Sequence, residues 1–320
     1  MTTGKTALIL GASGGVGRET AKALLRRGWR IRALHRDPGR VAACLPEAAW
    51  VRGDALSAEA VAGAAAGADL VFHGVNPPGY RNWKGLALPM LENAVAAARA
   101  AGARLLFPGT LYNYGPDALP LVDEAAPQHP TTRKGTIRVA MEQRLKRAAE
   151  AGLAVQILRA GDFFGPHCGN SWFSQALVKP GRPLEAVTYP GRPEVGHAWA
   201  YLPDVGETFA RLAERPAAPG DLQSFHFGGH WVEPGIAFAE GVRLAAGRPD
   251  LPLRRLPWGA LRLLSPVVPS FRELLEVRYL WREPLRLDNR KLLALLGEEP
   301  HTPLALALER SLRGLGCLPE

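Results

Sequence analysis

A doubly wound α/β fold, with a parallel sheet and a smaller C-terminal part, is predicted by three observations. Short apolar runs of strand length alternate with helical runs through the first half of the 320-residue chain. A glycine cluster, Gly11-Ala12-Ser13-Gly14-Gly15-Val16-Gly17, stands where the first strand gives way to the first helix. Beyond the middle of the chain the alternation fades into a Pro-rich stretch with short strands and helices. Strands separated by helices imply right-handed crossovers and a parallel sheet.

The elements follow in order. Residues 6–10 read as a buried strand, 18–27 as a helix and 30–34 as the second strand. Residues 50–51 and 70–72 are the cores of two more strands. An Ala-rich helix covers 86–101 and ends near Gly102. Strand 104–107, helix 137–150 and strand 154–158 complete the alternation, and 224–227 reads as a late short strand. The apolar fraction of 47% supports a globular core.

Composition narrows the function classes. The formal charge is +9, but the arginines are scattered (Arg26, Arg27, Arg30, Arg32, Arg254, Arg255, Arg310, Arg313) and form no tract, so no nucleic-acid partner is expected. Cys44, Cys168 and Cys317 lack metal or redox spacing and suggest free thiols in a reducing compartment. No histidine has metal-ligand spacing, and no metal is expected. There is no signal-type apolar region after Met1 and no uninterrupted apolar run of about 18 residues, so a cytoplasmic chain without a membrane span is expected.

The glycine cluster carries the chemistry. At a strand–turn–helix junction the turn is tight, the backbone approaches a pyrophosphate, and the helix packs close to the strand. Exposed amides at the helix N-terminus then meet the phosphate. This predicts a Rossmann nucleotide-binding domain using Gly11, Ser13, Gly14, Gly15, Val16 and Gly17. At the end of the second strand a chain that prefers NAD places an acid for the ribose 2′-hydroxyl. Here the residues are Leu34-His35-Arg36-Asp37. His35 takes the usual acid position, and the Arg36 guanidinium suits a 2′-phosphate, which predicts NADP(H). Residues 1–165, with 195–230 returning to them, are expected to form this domain. Residues 166–194 and 231–320 are expected to form the substrate-binding part.

The Gly-x-x-Gly-x-x-Gly spacing resembles the extended and atypical short-chain dehydrogenase/reductase family, in its epimerase/dehydratase-like branch. Gly53-Asp54-Ala55-Leu56 is similar to the segment after the third strand, which implies that Asp54 and Ala55 meet the adenine. Val71-Phe72-His73-Gly74 resembles the turn that lines the cofactor. The run 107–116 resembles the loop bearing the catalytic hydroxyl, which implies that role for Thr110. The run 158–166 resembles the segment beside the nicotinamide, which brings in Ala160, Gly161 and Phe163. The resemblance also implies a small-molecule substrate and a homodimer.

One departure stands out. The family's working pair is Tyr-x-x-x-Lys, and here Lys134 stands in the Tyr position and Arg138 in the Lys position, with no tyrosine within 131–150. The run Lys134-x-x-Ile137-Arg138-x-x-Met141-Glu142 resembles the isoflavone and phenylpropanoid reductase branch, where a lone lysine does the proton work. Tyr112, beside Thr110, is the alternative acid/base. Arg138 is expected to hold ribose hydroxyls or a phosphate, or to pair with Glu142 one turn on. Substrate-facing candidates are Asn76, Tyr80 and Trp83 in one loop, Trp172 after the nicotinamide segment, and His197. Three function classes stay open: an NADP(H)-dependent reductase of a small, fairly apolar carbonyl or alkene, an epimerase, dehydratase or isomerase with retained cofactor, and a non-catalytic NADP sensor.

Overall fold

The computed structural model describes residues 4–77, 82–169 and 171–318. The chain opens β1 (Thr6–Leu10), α1 (Gly15–Leu25), β2 (Arg30–His35), β3 (Ala49–Arg52), α2 (Ala58–Ala65), β4 (Leu70–His73), α3 (Trp83–Ala100) and β5 (Arg104–Thr110). It continues through β6 (Leu121–Val122), α4 (Arg133–Glu150), β7 (Val155–Ala160), β8 (Asp162–Phe164), β9 (Val187–Tyr189), β10 (His197–Tyr201), α5 (Leu202–Glu214) and β11 (Leu222–His226). The rest carries β12 (His230–Val232), α6 (Ile236–Ala245), β13 (Leu253–Arg255), α7 (Trp258–Leu264), α8 (Pro269–Glu276), β14 (Arg286–Leu287), α9 (Arg290–Leu296) and α10 (Leu304–Gly314).

Seven strands form the central sheet in the order β11-β7-β5-β4-β1-β2-β3. The order turns back at β1, whose neighbours β2 and β4 both run parallel to it. Leu10 at the end of β1 pairs with His73 at the end of β4. Open α/β sheets bind ligands outside the carboxyl ends of the strands at such a switch point. All five residues of β1 are buried, as both faces of a central parallel strand require. Helix α1 buries Gly17, Thr20, Ala21 and Leu24, one stripe of its surface, against the sheet.

The chain divides into two compact units. The first comprises Met1–Gly109, Ile137–Arg159 and Val205–Phe225, and the second Thr110–Thr136, Ala160–Asp204 and His226–Glu320. The core of the first is aliphatic, with Leu8, Val71, Leu91, Leu105 and Val155 at its centre. The core of the second is aromatic. There Trp199 stacks on Phe238 at 3.9 Å, and Phe164 packs edge-on against both rings. Among the described residues no helix is long and apolar enough to cross a membrane.

Caps account for two differences from the sequence-based boundaries. Helix α1 begins at Gly15 because the Gly11 and Gly14 carbonyls accept from the Gly14 and Arg18 amides. Helix α4 begins four residues before the apolar periodicity does, because Thr132 Oγ1 accepts from the Gly135 amide at 2.9 Å. The short helix α2 has no predicted counterpart. Ser57 caps it by accepting from Ala60 N.

A buried ion pair ties α4 to β7. Arg159 donates through Nε (3.0 Å) and a terminal nitrogen (2.6 Å) to the two oxygens of Glu142, and both side chains are buried. Removing one partner strands the other charge in a low dielectric. Arg159→Met is expected to cost about 3–5 kcal/mol, read as a lowered denaturation midpoint in urea. An unchanged midpoint counts against a structural role for the pair.

Candidate functional site

In the first unit, the junction of β1 and α1 has the shape of a phosphate cradle. Gly11 has φ +90°, and a Cβ there would lie 2.7 Å from the Gly74 carbonyl carbon. A Cβ on Gly17 would collide with the Gly11 carbonyl oxygen. Only glycine allows this turn and this closeness of helix to strand. The first turn of α1 holds no acidic residue, and Gly14 makes no side-chain cap. Its leading amides and the positive end of the dipole therefore face outward unopposed. Ser13 and Gly14 are exposed, and Gly15 and Val16 half-buried.

At the end of β2, His35 folds back on its own turn, its Nδ1 accepting from Asp37 N at 3.0 Å. The ring meets Trp50 edge-on. Arg36 is exposed, and no described carboxylate pairs with it. Asp54 accepts from the Leu56 amide at 3.0 Å, and Asn93 donates to the Ala55 carbonyl at 2.9 Å. These bonds order the loop after β3.

A second cluster of the first unit surrounds Arg138. Its guanidinium lies over the Trp83 ring (5.2 Å) and the Phe107 ring (5.7 Å) and donates to the Pro108 carbonyl at 3.3 Å. Trp83 donates through Nε1 to Asn76 Oδ1 at 2.6 Å, so two of the substrate-facing candidates bond to each other. Tyr80 lies outside the described residues. His73 stacks on Phe107 and is 1% exposed, and neither ring nitrogen has a hydrogen-bond partner among the described residues. Burial, reinforced by the Arg138 charge, pushes its pKa down to about 3. The imidazole is therefore neutral, with one donor and one acceptor facing no protein group.

The proton-transfer candidates gather in the second unit. Thr110 Oγ1 accepts from the Tyr112 amide at 3.3 Å. Tyr112 is half-buried. A Cβ on Gly135 would collide with the Tyr112 carbonyl oxygen, so glycine there lets the first turn of α4 press against this loop. Lys134, next in line, is 5% exposed. Its Nζ donates to the Glu273 carbonyl at 2.7 Å and lies 3.2 Å from Glu273 Oε2. Its amide donates to Glu276 Oε1 at 2.8 Å. Burial pushes the amine below the ordinary lysine value, and the Glu273 and Glu276 carboxylates partly restore it. Glu273 and Glu276 escaped the sequence reading because they lie on α8, far along the chain, with no motif to mark them.

Other residues of the second unit sit deeper than the sequence suggested. Gly161 meets the Ala198 carbonyl closely enough to exclude any Cβ, between buried Ala160 and half-buried Phe163. Trp172 packs against Trp258 and Trp281 in the aromatic core. His197 stacks on Trp281 at 3.8 Å, with Nε2 2.8 Å from Asp162 Oδ2 and Nδ1 3.2 Å from the Leu280 carbonyl. The expectation that Trp172 and His197 line a pocket wall meets a physical obstacle. Both are buried, and both nitrogens of the histidine are engaged. Tyr114 is likewise a core residue, its hydroxyl 2.7 Å from His226 Nε2.

Residues 7–227 match the model of the NAD dependent epimerase/dehydratase family. The chain belongs to this family. A 3-diazoavenalumate denitrifying reductase from a Streptomyces species is 33% identical over 180 residues. That match covers 51% of this chain and 57% of the relative, so the chain spans little more than half of the relative's length. Two solved UDP-glucose 4-epimerases share the fold. The Thermotoga maritima enzyme with UDP-glucose has a TM-score of 0.75 at 18% identity, covering 97% of this chain and 98% of that one. The Bifidobacterium longum enzyme, in complex with NAD+ and UDP, gives 0.74 at 17% identity with the same coverage.

The family's nicotinamide cofactor fits the first unit. The glycine junction, the free helix amides and the orphaned His73 nitrogens are the features such a ligand needs. A cleft of about 630 Å³ at the opposite sheet edge, lined by Lys5, Asp69, Arg99 and Arg104, is a different matter. It faces the N-terminal ends of the strands, away from the ligand-binding edge.

Two predictions follow from this geometry. Gly17→Val is expected to abolish nucleotide binding in calorimetric titration, and tight binding by a folded variant would refute the cradle. His73 stays neutral in the folded chain down to about pH 3, whereas the unfolded chain protonates it near 6.5. Unfolded chains therefore bind more protons between these values, and stability is lost as pH falls through that window. His73→Phe is expected to flatten the acid limb of a pH–stability curve in part, since burial also pushes His230 down to about 4. An unaltered acid limb would show that His73 is not held neutral.

Proposed function

We propose that this chain is a cytoplasmic NADP(H)-dependent oxidoreductase that reduces a small, fairly apolar carbonyl or alkene with a rebuilt proton relay. The observation that carries this reading is the buried Lys134 amine, held by Glu273 at the start of α4 where the resembling family places tyrosine. The resemblance to a Streptomyces reductase supports net reduction over a cycle that returns the hydride.

When bound, the nicotinamide supplies a hydride. The chain's own groups supply the rest. Gly11, Ser13, Gly14, Gly15, Val16 and Gly17 hold the pyrophosphate against the α1 amides. Arg36, exposed and unpaired with any described carboxylate, meets the 2′-phosphate. Lys134 delivers a proton to the substrate oxygen or carbon, and Glu273 keeps the amine oriented and charged. Thr110 accepts a backbone amide through its oxygen, which leaves its hydroxyl proton to orient the substrate. His73, kept neutral, donates one hydrogen bond into the cofactor site.

The family assignment itself favours a second reading, an epimerase or dehydratase that retains its cofactor. It predicts nucleotide that survives purification and no release of NADP+ during turnover.

Three measurements test the proposal. Lys134→Ala is expected to lower kcat by about 100- to 10,000-fold with NADPH affinity unchanged. A normal rate would move the proton work to Tyr112. Because the amine is depressed, the reduction rate is expected to fall as pH rises through a value below 10.5. Arg36→Glu is expected to weaken NADPH binding at least tenfold, about 1.4 kcal/mol, and NADH binding little. Equal losses for both nucleotides would refute the 2′-phosphate contact.

A further inference from the structure

The hairpin of α7 and α8, in the second unit, turns an apolar tip outward. Trp258 and Leu261 form the inward side of α7. Trp258 donates to the Pro190 carbonyl at 2.7 Å, and Leu261 is buried. The following residues point the other way. Leu263 is 80% exposed, Leu264 45% and Val267 76%. These are the most exposed large apolar side chains among the described residues, save Leu244 and Leu121 elsewhere. Three such groups within five positions are unusual on a surface that only water covers.

The exposed charges of the hairpin are of one sign. Arg262 on α7 and Arg272 on α8 are exposed, and neither has an ion-pair partner among the described residues. The two acids of the hairpin, Glu273 and Glu276, turn inward to Arg133 and Lys134. The hairpin therefore presents leucine and valine together with two exposed guanidinium groups, Arg262 and Arg272. That combination matches the boundary of an anionic bilayer, where apolar side chains enter the acyl edge and arginines meet phosphates.

We propose that the α7–α8 hairpin is a docking tip for an anionic membrane surface. The chain lies on the bilayer and does not cross it. Contact is reversible, since a few inserted side chains and two arginines amount to a weak anchor. Its charge term is screened by salt.

The full chain would be sedimented with vesicles of phosphatidylcholine alone and of phosphatidylcholine mixed with phosphatidylglycerol. The expected result is binding to the mixed vesicles only, released by added salt. The double variant Leu263→Asp/Val267→Asp, and separately Arg262→Gln/Arg272→Gln, are expected to lower the bound fraction at least tenfold. All four positions are exposed, so an unchanged melting temperature shows that the variants are folded. No binding to the mixed vesicles, or equal binding by parent and variants, overturns the proposal. So does a dimer in light scattering that Leu263→Asp/Val267→Asp dissociates without any vesicle binding, because the tip would then serve a second copy of the chain.

Discussion

Backbone packs against backbone where β1 passes into α1, and the first unit is organised around that contact. Gly11 faces the Gly74 backbone, and Gly17 faces Gly11. No side chain separates the helix from the two strands that flank the switch point. Since Leu10 and His73 are register partners, the same contact sets where each strand stops. It also aims the first amides of α1 past the strand ends, where a diphosphate fits. A methyl group at either glycine would move the helix outward and take those amides with it.

Much of this was legible in the sequence, because it is local. The glycine spacing, the apolar strands and the histidine in place of an acid directly after Leu34 are each read from a few neighbouring residues. The strand at 6–10 is matched residue for residue. What was not legible depends on distance. Nothing near Lys134 announces that Glu273, 139 positions away, receives its amine. Nothing near Arg138 announces the two aromatic rings that flank it. His197 and Trp172 looked like pocket residues because aromatic and titratable groups are common in pockets. They are equally common in an aromatic core, and here Trp172 packs against Trp281 while both ring nitrogens of His197 are engaged.

Lys134 and Arg138, two of the basic groups of α4, show how one helix serves two environments. Lys134 lies in a polar cage of carboxylate and carbonyl oxygens, which counter the loss of hydration. Arg138, one turn on, lies over two aromatic faces, which suit a delocalised guanidinium. The choice of lysine at one position and arginine at the other follows from these surroundings. An amine gives up a proton at accessible pH, and a guanidinium does not.

The chain passes between its units five times, at Gly109–Thr110, Thr136–Ile137, Arg159–Ala160, Asp204–Val205 and Phe225–His226. As the polypeptide leaves the ribosome, the first unit lacks a sheet strand until residue 226 has emerged. Domains whose segments are contiguous fold one after another during synthesis. This chain has no such option. Its nascent form carries a half-built sheet with an open edge through most of translation, and no single cut separates the units, since even one after Phe225 leaves two segments of the second unit joined to the first.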